Sequence, residues 1–178
     1  MRILIGYASK TGTAKLCAEM LRDELKGQDV TVADLDDFCP NPLEYDLVVL
    51  GSSVRFGRAR QSLTSYLQEH EEVLCQMPHA FFLCCGFGHD YERYVQKIYS
   101  KKLLESAFCA INFGGLLKLD HASRMEKLFL RWVRSEIRES EINDGEYTPT
   151  LPSILPENIS MMASHARHEL MRIKQKQG

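Results

Sequence analysis

No stretch of this 178-residue chain is apolar for the roughly 18 residues that a membrane-spanning helix requires, so a spanning segment is not expected. A charged leader followed by an apolar segment and a cleavage site is also missing, which leaves secretion unsignalled and a cytoplasmic protein expected. The six cysteines, Cys17, Cys39, Cys75, Cys84, Cys85 and Cys109, never form CxxC and never take Cys/His ligand spacing, so no metal site is expected. Most fall inside expected helices or strands, where a free thiol behaves as a small apolar group. Cys84 and Cys85 are neighbours on a strand and point to opposite faces, which favours packing over a redox pair. His165 and His168 lie three apart, too few ligands for a metal. Charge of one sign is scarce as well. The formal net charge of -2 excludes the field that a nucleic-acid partner needs. Finally, neither GxxxxGK[ST] nor GxGxxG is present, which excludes two glycine-rich nucleotide loops.

What the chain has is concentrated at its start, where Arg2 to Leu25 reads RILIGYASKTGTAKLCAEMLRDEL. Ile3, Leu4, Ile5 and Tyr7 form a short apolar run of the kind buried on both faces in a parallel sheet. A polar turn spans Ala8 to Thr13. Leu16, Cys17, Met20, Leu21 and Leu25 then recur at spacings of three and four, the apolar face of a helix. The first N–H groups of a helix lack internal partners and carry the positive end of its dipole, so this turn favours an anion. Ser9, Thr11 and Thr13 add hydroxyls, and Gly12 admits close approach of the backbone. The expected guest is a phosphate group; the plainer alternative is that Thr11 or Thr13 caps the helix.

Further along, Val30 to Leu35 reads as a second strand and Leu47 to Leu50 as a third, wholly apolar one, with a turn at Cys39 to Pro42 between them. Leu63 to Leu74 forms a helix, Ala80 to Cys85 a fourth strand, and Tyr94, Val95, Ile98 and Tyr99 repeat at helical spacing. Cys109 to Phe113 is a fifth strand, and Pro156 to Lys174 the last helix, with proline in its first turn. This alternation predicts a doubly wound α/β sheet in a single domain. Its length and its ordinary composition, 44% hydrophobic and 26% charged, agree with that. Ligands in such sheets bind outside the carboxyl ends of the strands, which selects Gly51 to Arg60, GSSVRFGRAR. There Phe56 offers a flat surface and Arg55 a fixed charge; the alternative is a surface loop with solvated arginines. Between the fifth strand and the last helix lie about forty residues, more than a connection needs. Asp120 to Glu139 within them has helical spacing and a basic stripe through Arg124, Lys127, Arg131, Arg134 and Arg138. That stripe is either a solvated face or an attachment surface for anionic lipid, a carboxylate-bearing substrate or an acidic partner.

The first turn resembles the FMN-phosphate loop of the flavodoxin family, T/S-x-T-G-x-T: Ser9, Thr11 and Gly12 match, and Ala14 stands where the last Thr belongs. CGFGHDYERY, from Cys85, resembles the second flavin-contacting loop of that family, in which Tyr91 would lie over the isoalloxazine ring. VVLGSSVRFGRARQSLTSYLQEHEEVLCQMPHAFF looks like the central segment of the menaquinone-dependent protoporphyrinogen oxidase branch. This resemblance implies a flavodoxin-like three-layer sandwich over residues 1–178, with a five-stranded parallel sheet in the order 2-1-3-4-5 and an insert at 116–155 before the last helix. It implies FMN held by Ser9, Lys10, Thr11, Gly12, Thr13 and Ala14 at the phosphate. Ser52, Ser53, Val54, Arg55, Phe56 and Gly57 would line one side of the ring, and Cys85, Gly86, Phe87, Gly88 and Tyr91 the other. The expected function is an FMN-dependent oxidoreductase, in the closest case oxidising protoporphyrinogen IX with a quinone. Arg55, Arg58 and Arg60 would then anchor carboxylates, and 120–139 would bring the protein to the inner face of the membrane or to the quinone. A one-electron carrier meeting a redox protein, and a non-catalytic binding domain, are the two alternatives.

Overall fold

Apolar runs build the centre of the molecule. The computed structural model describes residues 1–55, 57–86, 90–116 and 153–177. Strands β1 (Arg2–Ala8), β2 (Asp29–Asp34), β3 (Leu47–Ser53), β4 (His79–Cys84) and β5 (Cys109–Asn112) form one parallel sheet in the order β2-β1-β3-β4-β5. This is the order that the flavodoxin resemblance implies and that is already known for such sheets. Every residue of β3 is buried, as a strand covered on both faces requires, whereas edge strand β2 leaves Asp29 and Thr31 exposed.

Alternation along the strands sends side chains into two cores. Ile3, Ile5, Leu47, Val49, Ala80 and Phe82 pack beneath α1 (Thr13–Glu24) and the last helix. Leu4, Val48, Leu50, Phe81 and Leu83 pack on the other face beneath α2 (Gln61–Leu74), α3 (Tyr91–Ile98) and α4 (Lys101–Ser106). The last helix, α5, spans Pro156–Gln177 and buries Ile159, Met162, Ala163, Ala166 and Leu170. Each fully buried Leu or Ile side chain contributes about 1.5–3 kcal/mol, so these two clusters hold the sandwich together.

The helical periodicity is corrected at two points. Leu16 is 39% exposed, and the buried face of α1 runs through Ala14, Cys17, Ala18 and Leu21 instead. Helix α4 was not expected from the sequence; Ser100 starts it by accepting a hydrogen bond from the Leu103 N–H at 3.2 Å. Cys17, Cys84 and Cys85 are buried, in keeping with a packing role. Interaction with the neighbouring Cys17 thiol and burial push the Cys84 thiol well above its ordinary range. The helix expected over 120–139 lies outside the described residues. Its flanks do not: Gly115 N–H donates to Ser153 O and Leu155 N–H to Phe113 O, both at 3.0 Å, so the chain leaves and re-enters at one place beside the end of β5. Among the described residues no helix is long and apolar enough to cross a membrane.

Candidate functional site

The turn after β1 delivers the chain into α1 through Gly12, which has φ 79° and serves as the N-cap without any side-chain cap. Glycine alone takes that left-handed conformation at little cost. Neither Thr11 nor Thr13 caps the helix; their hydroxyls sit 3.5 Å apart. Ser9 closes the turn by accepting from the Ala14 N–H at 3.2 Å. The N–H groups of Thr11, Gly12 and Thr13 meet no acceptor among the described residues. The first turn of α1 contains no acid, and Lys15 in that turn and Lys10 before it are exposed. An anion is therefore favoured here by hydrogen-bond donors, dipole and charge together.

Ser53, the last residue of β3, shares the strand face of Leu47 and Val49, which pack with Ala14 and Cys17 of α1. It is 6% exposed, and its hydroxyl has no hydrogen-bond partner among the described residues. A buried orphan hydroxyl costs about 1–3 kcal/mol, and it sits at the sheet edge from which α1 starts. Ser52 has the opposite role. Its Oγ donates to Ser53 O at 3.1 Å and accepts from the Arg60 N–H at 3.2 Å, closing the loop that follows.

That loop continues the ladder for one residue, Val54 N–H donating to Cys84 O at 3.0 Å, then folds back as Arg55 and Arg58 exchange main-chain hydrogen bonds at 2.9 and 3.0 Å. Arg55 is half-buried, with Nη1 shielded from solvent. The guanidinium of Arg60 is paired within the chain: its Nε and Nη2 donate to Asp36 Oδ2 at 3.2 and 2.8 Å. Burial works against the charge on Asp36, but the hydrogen bonds and charge of Arg60 outweigh it and hold the carboxyl below its ordinary range.

Across the edge, Cys85 N–H donates to Asn112 Oδ1 at 3.3 Å, and the same oxygen accepts from Gly114 N–H at 3.0 Å. Gly86 is exposed and lies against Gly115, where an added Cβ would stand 2.7 Å from Gly86 N. Tyr91 opens α3 with its ring packed on the core of the α2 face; its hydroxyl is buried without a hydrogen-bond partner among the described residues, and burial pushes the phenol well above its ordinary range. Tyr94 is the aromatic that meets the neighbouring loop: a Cβ on Gly57 would lie 3.2 Å from Tyr94 Cε1. Its hydroxyl donates to Asp90 Oδ2 at 3.2 Å. Phe56, Phe87 and Gly88 lie outside the described residues. Asn112, Tyr94 and Asp36 were missed by sequence reasoning. Only Asn112 carried a signal, as the one polar side chain in the CAIN strand.

A family described as "Flavodoxin domain" matches residues 4–142, more than half of the chain. Protoporphyrinogen IX dehydrogenase [quinone] from Escherichia coli (strain K12) is 32% identical over 85 residues, which cover 46% of this chain and 47% of that protein. The chain thus spans about half the length of the curated relatives it matches. Among solved structures, oxidised Flavodoxin 2 from Bacillus cereus aligns with TM-score 0.50 and 21% identity over 66% of this chain and 80% of that one. Two-electron reduced Megasphaera elsdenii flavodoxin aligns with TM-score 0.47 and 16% identity over 62% and 84%.

Proposed function

The chain belongs to the flavodoxin domain family, and from that premise we propose that it is an FMN-binding oxidoreductase that oxidises protoporphyrinogen IX and passes the electrons to a quinone. The observation that carries the cofactor is one juxtaposition: main-chain N–H groups without acceptors at the start of α1, and the buried, partnerless hydroxyl of Ser53 on the same side of the sheet. A phosphate monoester supplies the acceptors that both lack, so the residues present fit the group. Ala14 takes part through its main chain, because its N–H is already engaged by Ser9 and keeps the turn in shape.

Bound FMN supplies the electron-accepting ring chemistry. The chain's own residues position it. Ser52 and the Arg55–Arg58 pairing fix the loop on one side, and Asn112 ties Cys85 to Gly114 on the other. Arg55 places a half-buried guanidinium at this edge, beside where the ring would sit.

Protoporphyrinogen and quinone are supported by the name of the Escherichia coli relative and by the net charge of -2, which suits a strongly acidic one-electron carrier poorly. A quinone confined to a bilayer requires contact with the membrane surface, and 120–139 is the segment proposed for it. The test is the visible spectrum of the purified protein titrated with FMN, followed by anaerobic turnover of protoporphyrinogen IX with a menaquinone analogue. Flavin binding together with quinone-dependent porphyrin fluorescence is expected. Bound flavin without turnover reduces the protein to a carrier, and absence of flavin binding overturns the reading.

A further inference from the structure

Resting on that reading, we propose that the carboxylates of the tetrapyrrole are received by Arg58, Arg93 and Lys97, grouped around Tyr94 beside the 55–58 turn. Arg60, which the sequence alone placed with them, is not part of this group. Its guanidinium is committed to Asp36.

The turn leans on α3. A Cβ on Gly57 would lie 3.2 Å from Tyr94 Cε1 and 3.9 Å from Lys97 Nζ, so the Lys97 ammonium reaches the turn that Arg58 closes. Arg93 stands four residues before Lys97, next to it on the helix surface, and its charge is felt by the Tyr94 phenol. All three cations are exposed. None of them has an ion pair among the described residues, whereas Arg22, Arg60, Lys101 and Arg172 each do. Two acids are near. Asp90 takes the Tyr94 hydroxyl, and Glu92 is exposed on α3. Lys97 in the last turn of α3 complements the helix dipole, but that accounts for neither Arg93, four residues away and repelled by it, nor Arg58 on the facing turn; an anionic guest accounts for all three. Tyr94 gives that guest a flat wall, and cations flanking an aromatic suit a large ring bearing two carboxylates. The group borders the loop that faces the ring site, so a substrate held by its carboxylates would be presented at the flavin edge.

The experiment titrates FMN-loaded protein with mesoporphyrin IX, a dicarboxylate, and with its dimethyl ester, following porphyrin fluorescence. The wild type should bind the acid more tightly than the ester, with an affinity that falls as salt rises. The triple variant Arg58→Gln, Arg93→Gln, Lys97→Gln should lose about tenfold in affinity for the acid and leave the ester and FMN unchanged, because the pairing of Arg58 with Arg55 is made by main-chain atoms that glutamine retains. Unchanged FMN affinity also shows that the variant is folded. Equal binding of acid and ester by the wild type, or a triple variant that binds the acid like the wild type, overturns the proposal while the flavin reading stands. A wild type that takes up no FMN overturns the flavin reading itself, and this inference with it.

Discussion

The two halves of the proposed cofactor site are built by different means. On the phosphate side, all the proposed donors but Ser53 come from one unbroken stretch, Ser9 to Lys15, braced locally by Ala14 N–H to Ser9 Oγ across five residues and by the Thr11 and Thr13 hydroxyls 3.5 Å apart. On the ring side, each loop is held by a partner far along the chain: Arg60 by Asp36 over 24 residues, and Cys85 by Asn112 over 27. A local turn carries its own geometry wherever it is placed, whereas loops of the second kind exist only once the sheet has assembled. Riboflavin, which lacks the phosphate, separates them. Damage to the ring side should weaken riboflavin and FMN by the same factor, and damage to the phosphate side should weaken FMN alone.

The largest effect is expected from Gly115→Ala. The new methyl would stand 2.7 Å from Gly86 N, 2.9 Å from Gly86 Cα and 3.2 Å from the Cys85 carbonyl carbon, all main-chain atoms that no rotamer change can move. Overpacking of this kind costs about 1–3 kcal/mol, and the absence of a yielding side chain puts this site at the upper end. Chemical denaturation should show that loss, and FMN and riboflavin should weaken in parallel. A variant that loses FMN affinity alone would show that the Gly86 loop serves the phosphate rather than the ring.

Next is Ser53→Ala, whose two effects have opposite sign. Removing a buried hydroxyl without a partner should stabilise the flavin-free protein by about 1 kcal/mol, because its desolvation penalty disappears. Loss of a hydrogen bond to a charged phosphate, worth about 1.5–3 kcal/mol, should weaken FMN roughly 10- to 100-fold and leave riboflavin untouched. Thermal unfolding with and without FMN reads both. A flavin-free protein that becomes less stable would mean that the hydroxyl serves the fold.

This contrast also explains what the sequence disclosed. The strands and the α/β class were legible from the periodicity of runs such as Ile3 to Tyr7 and Leu47 to Leu50, whereas the sheet order came from the resemblance to flavodoxins. The turn proposed for the phosphate could be picked out because its residues are contiguous. Arg60 was assigned from its neighbours in sequence and Tyr91 from the resemblance; the structure pairs Arg60 with Asp36 and packs both Tyr91 and Tyr94, half-buried, against the core of the α2 face, with Tyr94 also beside Gly57. No periodicity joins Asp36 to Arg60. Only the parallel crossover, which brings the end of β2 and the start of α2 to one edge, does so. Leu16 failed for a related reason: a three-and-four pattern picks large apolar residues, and the sheet-facing stripe of α1 is made of Ala14, Cys17 and Ala18.

A smaller effect is expected from Lys15→Glu. Lys15 is exposed in the first turn of α1, where an acid complements the dipole and should add about 0.3–1 kcal/mol of stability. The same charge opposes the phosphate, so FMN should weaken several-fold and recover as salt rises, while riboflavin stays constant. Salt-independent loss would point to a distorted turn instead of charge.

The smallest effect is Asp36→Asn, and its signature is in pH. Because Arg60 holds the Asp36 carboxyl below its ordinary range, the folded state binds this proton less readily than the unfolded chain does. The contribution is therefore complete above the unfolded value of about 4 and is lost as pH falls below it. At neutral pH the half-exposed pair is worth no more than about 1 kcal/mol. Wild-type stability should thus fall more steeply than the variant's between about pH 4 and 2, and the two curves should converge on the acid side. Since Arg60 also donates its N–H to Ser52, riboflavin and FMN should weaken together, by less than in Gly115→Ala. Parallel stability curves over that range would show that Arg60 keeps the ring loop in place through its main chain alone.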